Sequence, residues 1–149
     1  MRTDNRLPRV LHVLLHLEDA EMPLTSQMMG KMLNMNPSLV RRTMSGLREA
    51  GFVTSTKGHN GGWQLTKPLS DFTLAAVYQA LGEPNLFAVG VSDQSSNCLL
   101  EKAANVATQA ALEKARKCFL DELGALTVAE LVENSREQIK AYQKTHQSR

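Results

Sequence analysis

Apolar residues recur along most of this chain at helical rather than strand spacing. Leu7, Val10, Leu11, Leu14 and Leu17 form one stripe and predict an amphipathic helix over residues 6–18. Thr25 caps a second helix, with Met28, Met29, Met32 and Leu33 as its apolar face and Leu24 placed to staple onto Met29. Four methionines fall within residues 28–35; at this spacing they read as core filler rather than a soft-metal surface. A third helix opens at Asn36, a good N-cap, with Pro37 at the first helical position, where its missing N–H costs nothing. Gly51 ends it as a left-handed residue should, and Phe52 can close back onto Leu47. Between those caps Val40, Thr43, Met44 and Leu47 share one face, while Ser38, Arg41, Arg42, Ser45 and Arg48 share the other. One face packs and the other meets something polar.

The pattern then changes. Residues 52–56 and 63–66 are rich in β-branched and aromatic residues and flank residues 57–62, a basic tip whose three glycines permit positive φ. Two strands joined by a flexible, basic turn are predicted. Helical spacing returns at Thr73, which caps a helix over residues 74–81 with Phe72 stapled onto Val77, and Gly82 stops it. Residues 83–97 carry a proline, a glycine and a Ser/Asp/Gln/Asn cluster, and read as the most flexible stretch. From residue 98 to 123 there is neither proline nor glycine, and six alanines line up with Leu100, Leu112, Phe119 and Leu123. One long helix follows from that. Thr127 and Glu130 form a capping box for a further short helix, and a polar tail begins at Ser135, read as a partly ordered helix that frays.

The fold class predicted is mainly α with a small β-hairpin: a winged helix-turn-helix domain plus a long dimerisation helix. The divisions are a DNA-binding domain over residues 1–82, a linker over 83–97, dimerisation helices over 98–134 and a tail over 135–149. Residues 36–50 are the recognition helix and residues 52–66 the wing. The helix over 98–123 would span about 39 Å, more than one small domain needs, so some of its surface should meet a second copy. The alternative is a helix packed wholly on its own domain.

The run from Ser38 through LREAGFV to KGHNGGWQL resembles the Rrf-two family of bacterial winged-helix regulators, the IscR-, NsrR- and CymR-like proteins. The LREAGxV and KGxxGGW combination carries the likeness, which continues more weakly over residues 72–81, at Cys98-Leu99 and over residues 119–131. The resemblance implies a cytoplasmic, dimeric, DNA-binding regulator, read here as a repressor, with double-stranded DNA as partner and room for an effector the sequence does not name. It also implies base or backbone contacts for Asn36, Ser38 and Leu39, the last standing where an aromatic residue is common. Family members often carry arginine where this chain has Lys57. Lysine cannot make arginine's planar fork, so reading of sequence there should be weaker. Cluster-binding members carry three closely spaced cysteines after the fourth helix, whereas here only Cys98 lies in that region. The likeness is therefore to the cluster-free type, and no cofactor is expected. Cys118 cannot complete a ligand set within the chain, since 20 helical residues place it about 30 Å from Cys98.

Composition adds one thing. The net charge is only +2, yet residues 1–67 hold nine Lys/Arg against five Asp/Glu while residues 68–149 hold eight against ten. The basic excess sits in the half with the helix and wing, which favours a polyanion partner. No apolar run is long enough for a membrane span, and the two cysteines lack disulfide-framework spacing.

The chemistry of recognition then selects residues. Arginine donates two parallel hydrogen bonds to the O6 and N7 of guanine, so Arg41 and Arg42 are the leading readers of base edges, against the alternative of a merely solvated face. Thr25 and Ser26, at a helix N-terminus, would hold a phosphate. Lys57, His59 and Asn60 would take the wing toward the minor groove or the backbone. Cys98, at the start of the long helix, is either a plain buried or capping cysteine or a candidate redox sensor. His12 and His16 stand four apart, a spacing able to bind a metal, but no HExxH motif accompanies them. They read as surface or packing histidines, and no metal site is predicted. No GxSxG, phosphate loop or paired Cys/His ligands point to an enzyme. A winged helix that binds protein and not DNA is the remaining alternative; it predicts an uncharged or acidic recognition face, which Arg41, Arg42 and Lys57 contradict.

Overall fold

A computed structural model describes residues 3–93, 95 and 97–146, except for the side chains of residues 139, 142, 143, 145 and 146. The elements in order are α1 (Arg6–Asp19), α2 (Ser26–Leu33), α3 (Pro37–Glu49), β1 (Val53–Thr56), β2 (Gly62–Leu65), a 3-10 turn at Leu69–Asp71, α4 (Leu74–Ala80), α5 (Leu99–Gly124) and α6 (Val128–His146). The two strands pair antiparallel in the register Val53↔Leu65 to Thr56↔Gly62.

One core holds the first half together. Val10, Val13, Leu14 and Leu17 of α1, Met29 of α2, Val40, Met44 and Leu47 of α3, Val53 and Trp63 of the hairpin, Leu74 and Val77 of α4 and Val128 of α6 are all buried in it. Each such aliphatic side chain stabilises the fold by about 1.5–3 kcal/mol relative to exposure. Phe52 and Phe72 meet edge to face at 4.7 Å, locking the start of the hairpin to the segment entering α4. On α2 the predicted apolar face is half right. Met29 is buried, but Met28 and Met32 are exposed, because this eight-residue helix presents only a narrow stripe to the core.

The turn between α2 and α3 depends on one close approach. Asn34 adopts φ 50° and the Met35 N–H donates to the Gly30 carbonyl at 2.8 Å, folding the chain back across α2. A Cβ at Gly30 would lie 2.7 Å from the Met35 carbonyl oxygen, so only glycine lets the turn close this tightly. The α3 caps form as the sequence predicts. Asn36 Oδ1 accepts from the Ser38 N–H at 2.8 Å, and beyond Gly51 (φ 83°) the Phe52 N–H donates to the Leu47 carbonyl at 2.9 Å.

Two features of the second half depart from expectation. The linker is held rather than loose: Tyr78 donates its hydroxyl to the Pro84 carbonyl, Glu83 pairs with Arg116, and Ser92 bonds to Asn105 and Glu101 of α5. Within its polar cluster Ser92 makes the ties to α5, while Asp93 accepts from Ser95 inside the segment. In addition, α6 continues unbroken through residue 135 to His146, so the tail prolongs the helix that the Thr127–Glu130 capping box begins, and residues 147–149 lie outside the described residues. The start of α6 is bound to the start of α4: the Leu74 N–H donates to Leu126 and the Val128 N–H to Phe72, at 3.0 and 2.8 Å.

Candidate nucleic-acid interface

Three consecutive elements carry the predicted site residues. Thr25 and Ser26 stand at the N-terminus of α2, Asn36, Ser38, Leu39, Arg41 and Arg42 on and before the first half of α3, and Lys57, His59 and Asn60 at the hairpin tip. All but Ser26 are exposed, while Val40, Met44 and Leu47 anchor the opposite face of α3. The anchors set the helix's rotation, which is what turns Arg41 and Arg42 outward. Arg41 donates from its guanidinium to Ser38 Oγ at 3.1 Å, whereas Arg42 has no partner among the described residues.

At the α2 N-terminus, Thr25 Oγ1 accepts from the Met28 N–H at 3.2 Å. The first amides of the helix have no intrahelical partner, the general feature of a helix N-terminus that suits an anion.

The hairpin is fastened to α2 by Trp63, a residue that the sequence places only in a strand. Its backbone exchanges hydrogen bonds with Leu24 (3.1 and 2.9 Å), and its indole N–H donates to Ser26 Oγ at 3.0 Å. The Arg48 guanidinium lies 5.9 Å from the centre of the Trp63 ring, a cation–π distance, so Arg48 is engaged by the hairpin even though it shares the polar face of α3. Gly62 allows this contact: it takes φ 155°, and a Cβ there would lie 2.7 Å from the Leu24 carbonyl. One aromatic residue thus links wing, α2 and α3. Nothing in local spacing announces this, because its partners lie 15 to 39 positions away.

The remaining candidate, Cys98, is remote from these elements as the exposed N-cap of α5. The Glu101 amide, and then that of Leu100, hold its thiol below the usual range. His12 and His16 lie on α1, Nε2 to Nε2 2.8 Å apart.

A helix-turn-helix followed by a two-stranded wing, with an outward basic face on the second helix, defines a winged helix-turn-helix regulator. Residues 3–134 match the family described as Rrf2, iron-dependent transcriptional regulator, and the chain belongs to that family. A Bacillus subtilis (strain 168) protein described as an HTH-type transcriptional regulator, YwgB, is 34% identical over 109 residues, covering 68% of this chain and 70% of the relative. Among solved structures, a transcriptional regulator from Lactobacillus plantarum superposes with a TM-score of 0.76 at 21% identity, covering 97% of this chain and 98% of that one. T. potens IscR superposes with a TM-score of 0.64 at 15% identity over 93% and 90% of the respective chains. These two likenesses are of fold. The protein is a transcriptional regulator and not an enzyme, and among the described residues no helix is long and apolar enough to cross a membrane.

The family description names iron, and the donors of this chain do not fit an iron–sulfur cluster. Such clusters need about four ligands, chiefly cysteine thiolates. The sequence holds two cysteines, one at the cap of α5 and one near its far end, and no group of three or more His, Cys, Asp or Glu among the described residues could close on a metal ion.

Proposed function

We propose that this regulator binds DNA sequence-specifically as a homodimer, each copy laying α3 in a major groove of an approximately palindromic operator, and that it represses by occupying that site. The observation that carries the dimer is α5: over 26 residues it buries none, and Leu99, Leu100 and Val106 are 79%, 83% and 71% exposed. Apolar side chains left open along so long a helix favour a second copy as cover. A two-fold dimer in turn requires two half-sites about one helical turn apart, which is why the operator should be palindromic.

Within each half-site Arg41 and Arg42 are the base readers, with Asn36, Ser38 and Leu39 beside them. Thr25 and Ser26 take a phosphate, and Lys57, His59 and Asn60 follow the adjacent backbone or minor groove. Arg41 must leave Ser38 to fork onto a guanine, which frees both side chains at once. The test is to sequence the fragments that the purified protein retains from its own genome and to footprint the commonest. A palindromic protected site is the expected result; retention without any shared sequence would refute specific reading.

A further inference from the structure

His12 and His16 occupy successive turns of α1, on the face turned away from the buried Val10, Val13, Leu14 and Leu17. Their rings converge, with centroids 4.5 Å apart and planes inclined at 47°, and the two Nε2 atoms come within 2.8 Å of each other. With one ring protonated at Nε2 this is a hydrogen bond. With both rings in the Nδ1–H tautomer, two acceptor nitrogens stand 2.8 Å apart. Burial, and then the neighbouring His16, hold His12 below the usual imidazole range.

We propose that His12 and His16 form a bidentate site for a divalent first-row transition-metal ion. Imidazole nitrogen suits Cu(II), Ni(II), Zn(II) and Fe(II) alike, and the spacing discriminates among them. A metal 2.0–2.1 Å from each nitrogen, with the nitrogens 2.8 Å apart, subtends an angle of about 86°. That angle is the cis position of a square-planar or octahedral ion, which Cu(II) and Ni(II) prefer, and it is tighter than the tetrahedral angle of structural zinc. Water fills the remaining positions. The helix itself assists, because His16 lies in the last turn of α1, where the carbonyl end of the helix dipole favours a cation. Asp19 follows His16 by three residues and adds negative charge on the same side, while Arg9, one turn before His12, opposes it. The sequence shows no HExxH motif around these histidines, so spacing alone does not mark them. A cis pair on one helix needs only solvent to complete it.

The experiment titrates the full-length protein with Cu(II), Ni(II), Zn(II) and, without oxygen, Fe(II), following heat by calorimetry and, for Cu(II), nitrogen hyperfine structure by electron paramagnetic resonance. His12→Ala, His12→Gln, His16→Ala and a His59→Ala control are titrated in parallel, with circular dichroism confirming that each is folded. One ion per chain should bind in the order Cu(II), then Ni(II), then Zn(II). Affinity should fall roughly ten-fold or more when either α1 histidine is lost, because a chelate becomes a single ligand, and should be unchanged in the control. Saturating Ni(II) should raise the thermal midpoint of the parent and not of the His12 variants, since only the folded helix presents both rings. Equal affinity in parent and His12→Ala, or Zn(II) binding more tightly than Ni(II), would overturn the site.

Discussion

At the residue scale, the decisive contrast is between arginines that are committed and one that is not. Arg48 is held over Trp63 and Arg41 is tied to Ser38, while Arg42 has no partner among the described residues. Arg42→Ala should therefore cost specific operator binding about 1–3 kcal/mol, the worth of a bidentate guanine contact, with the fold intact. Arg41→Ala should cost less in net affinity, since binding must first break its bond to Ser38. Fluorescence anisotropy on the operator and on single-base variants separates the two, and unchanged base preference in both would remove them as readers. Lys57→Ala should weaken binding to all sequences alike and flatten its salt dependence, because an exposed lysine acts on phosphates. At Cys98 the amides of Glu101 and Leu100 favour the thiolate, so iodoacetamide should modify it before Cys118, as peptide mass mapping would show. If oxidation of Cys98 is a signal, Cys98→Ser should abolish any effect of oxidant on DNA binding. The placement of these residues was legible in the sequence because each belongs to a cap, a turn or a helix face whose rules are local. Their states of engagement were not.

Elements meet through contacts that no local rule records. The hairpin's position rests on Trp63, whose indole donates to Ser26 at the start of α2. The indole bond orients the Ser26 hydroxyl, so if Ser26 holds a phosphate, Trp63 is a positioning residue acting through it. Ser26→Ala and Trp63→Phe should each weaken DNA binding, and the double variant should be little worse than Ser26→Ala alone. Additive losses would mean that Trp63 acts only by packing. Gly30→Ala should destabilise the domain, because the added methyl meets backbone at the α2–α3 turn and not a side chain that can move. The entry to α6 should show acid sensitivity. The Glu130 carboxylate accepts from the Thr127 amide and hydroxyl, and these bonds depress its pKa. A depressed carboxylate contributes stability above the unfolded value, about 4.3, and loses it as pH falls through the lower folded one. Urea midpoints should thus decline more steeply below pH 4 for the parent than for Glu130→Gln. Sequence periodicity found every helix and the hairpin, since amphipathic spacing and caps are local. It missed the ties of the 83–97 segment and the outward set of Met28 and Met32, which depend on what lies opposite in space.

For the whole molecule the governing feature is the unburied length of α5. If it is the dimer seam, Ala107→Glu or Ala111→Glu should yield monomers by light scattering at micromolar concentration, and a parent that is already monomeric would refute the seam. The seam and the DNA-reading unit are joined without slack. The Leu74 N–H donates to Leu126 and the Val128 N–H to Phe72 across the starts of α4 and α6, Phe119 packs edge to face on Tyr78, and Arg116 pairs with Glu83. If two copies join through α5, a protein braced in this way would be a gauge as well as a reader, with the interval between the two α3 helices set by the protein. One base pair inserted at the centre of the operator would displace a half-site by about 3.4 Å and rotate it by about 35°. For a dimer so braced, that insertion should cost more affinity than any single base change inside a half-site, although every letter the protein reads is still present.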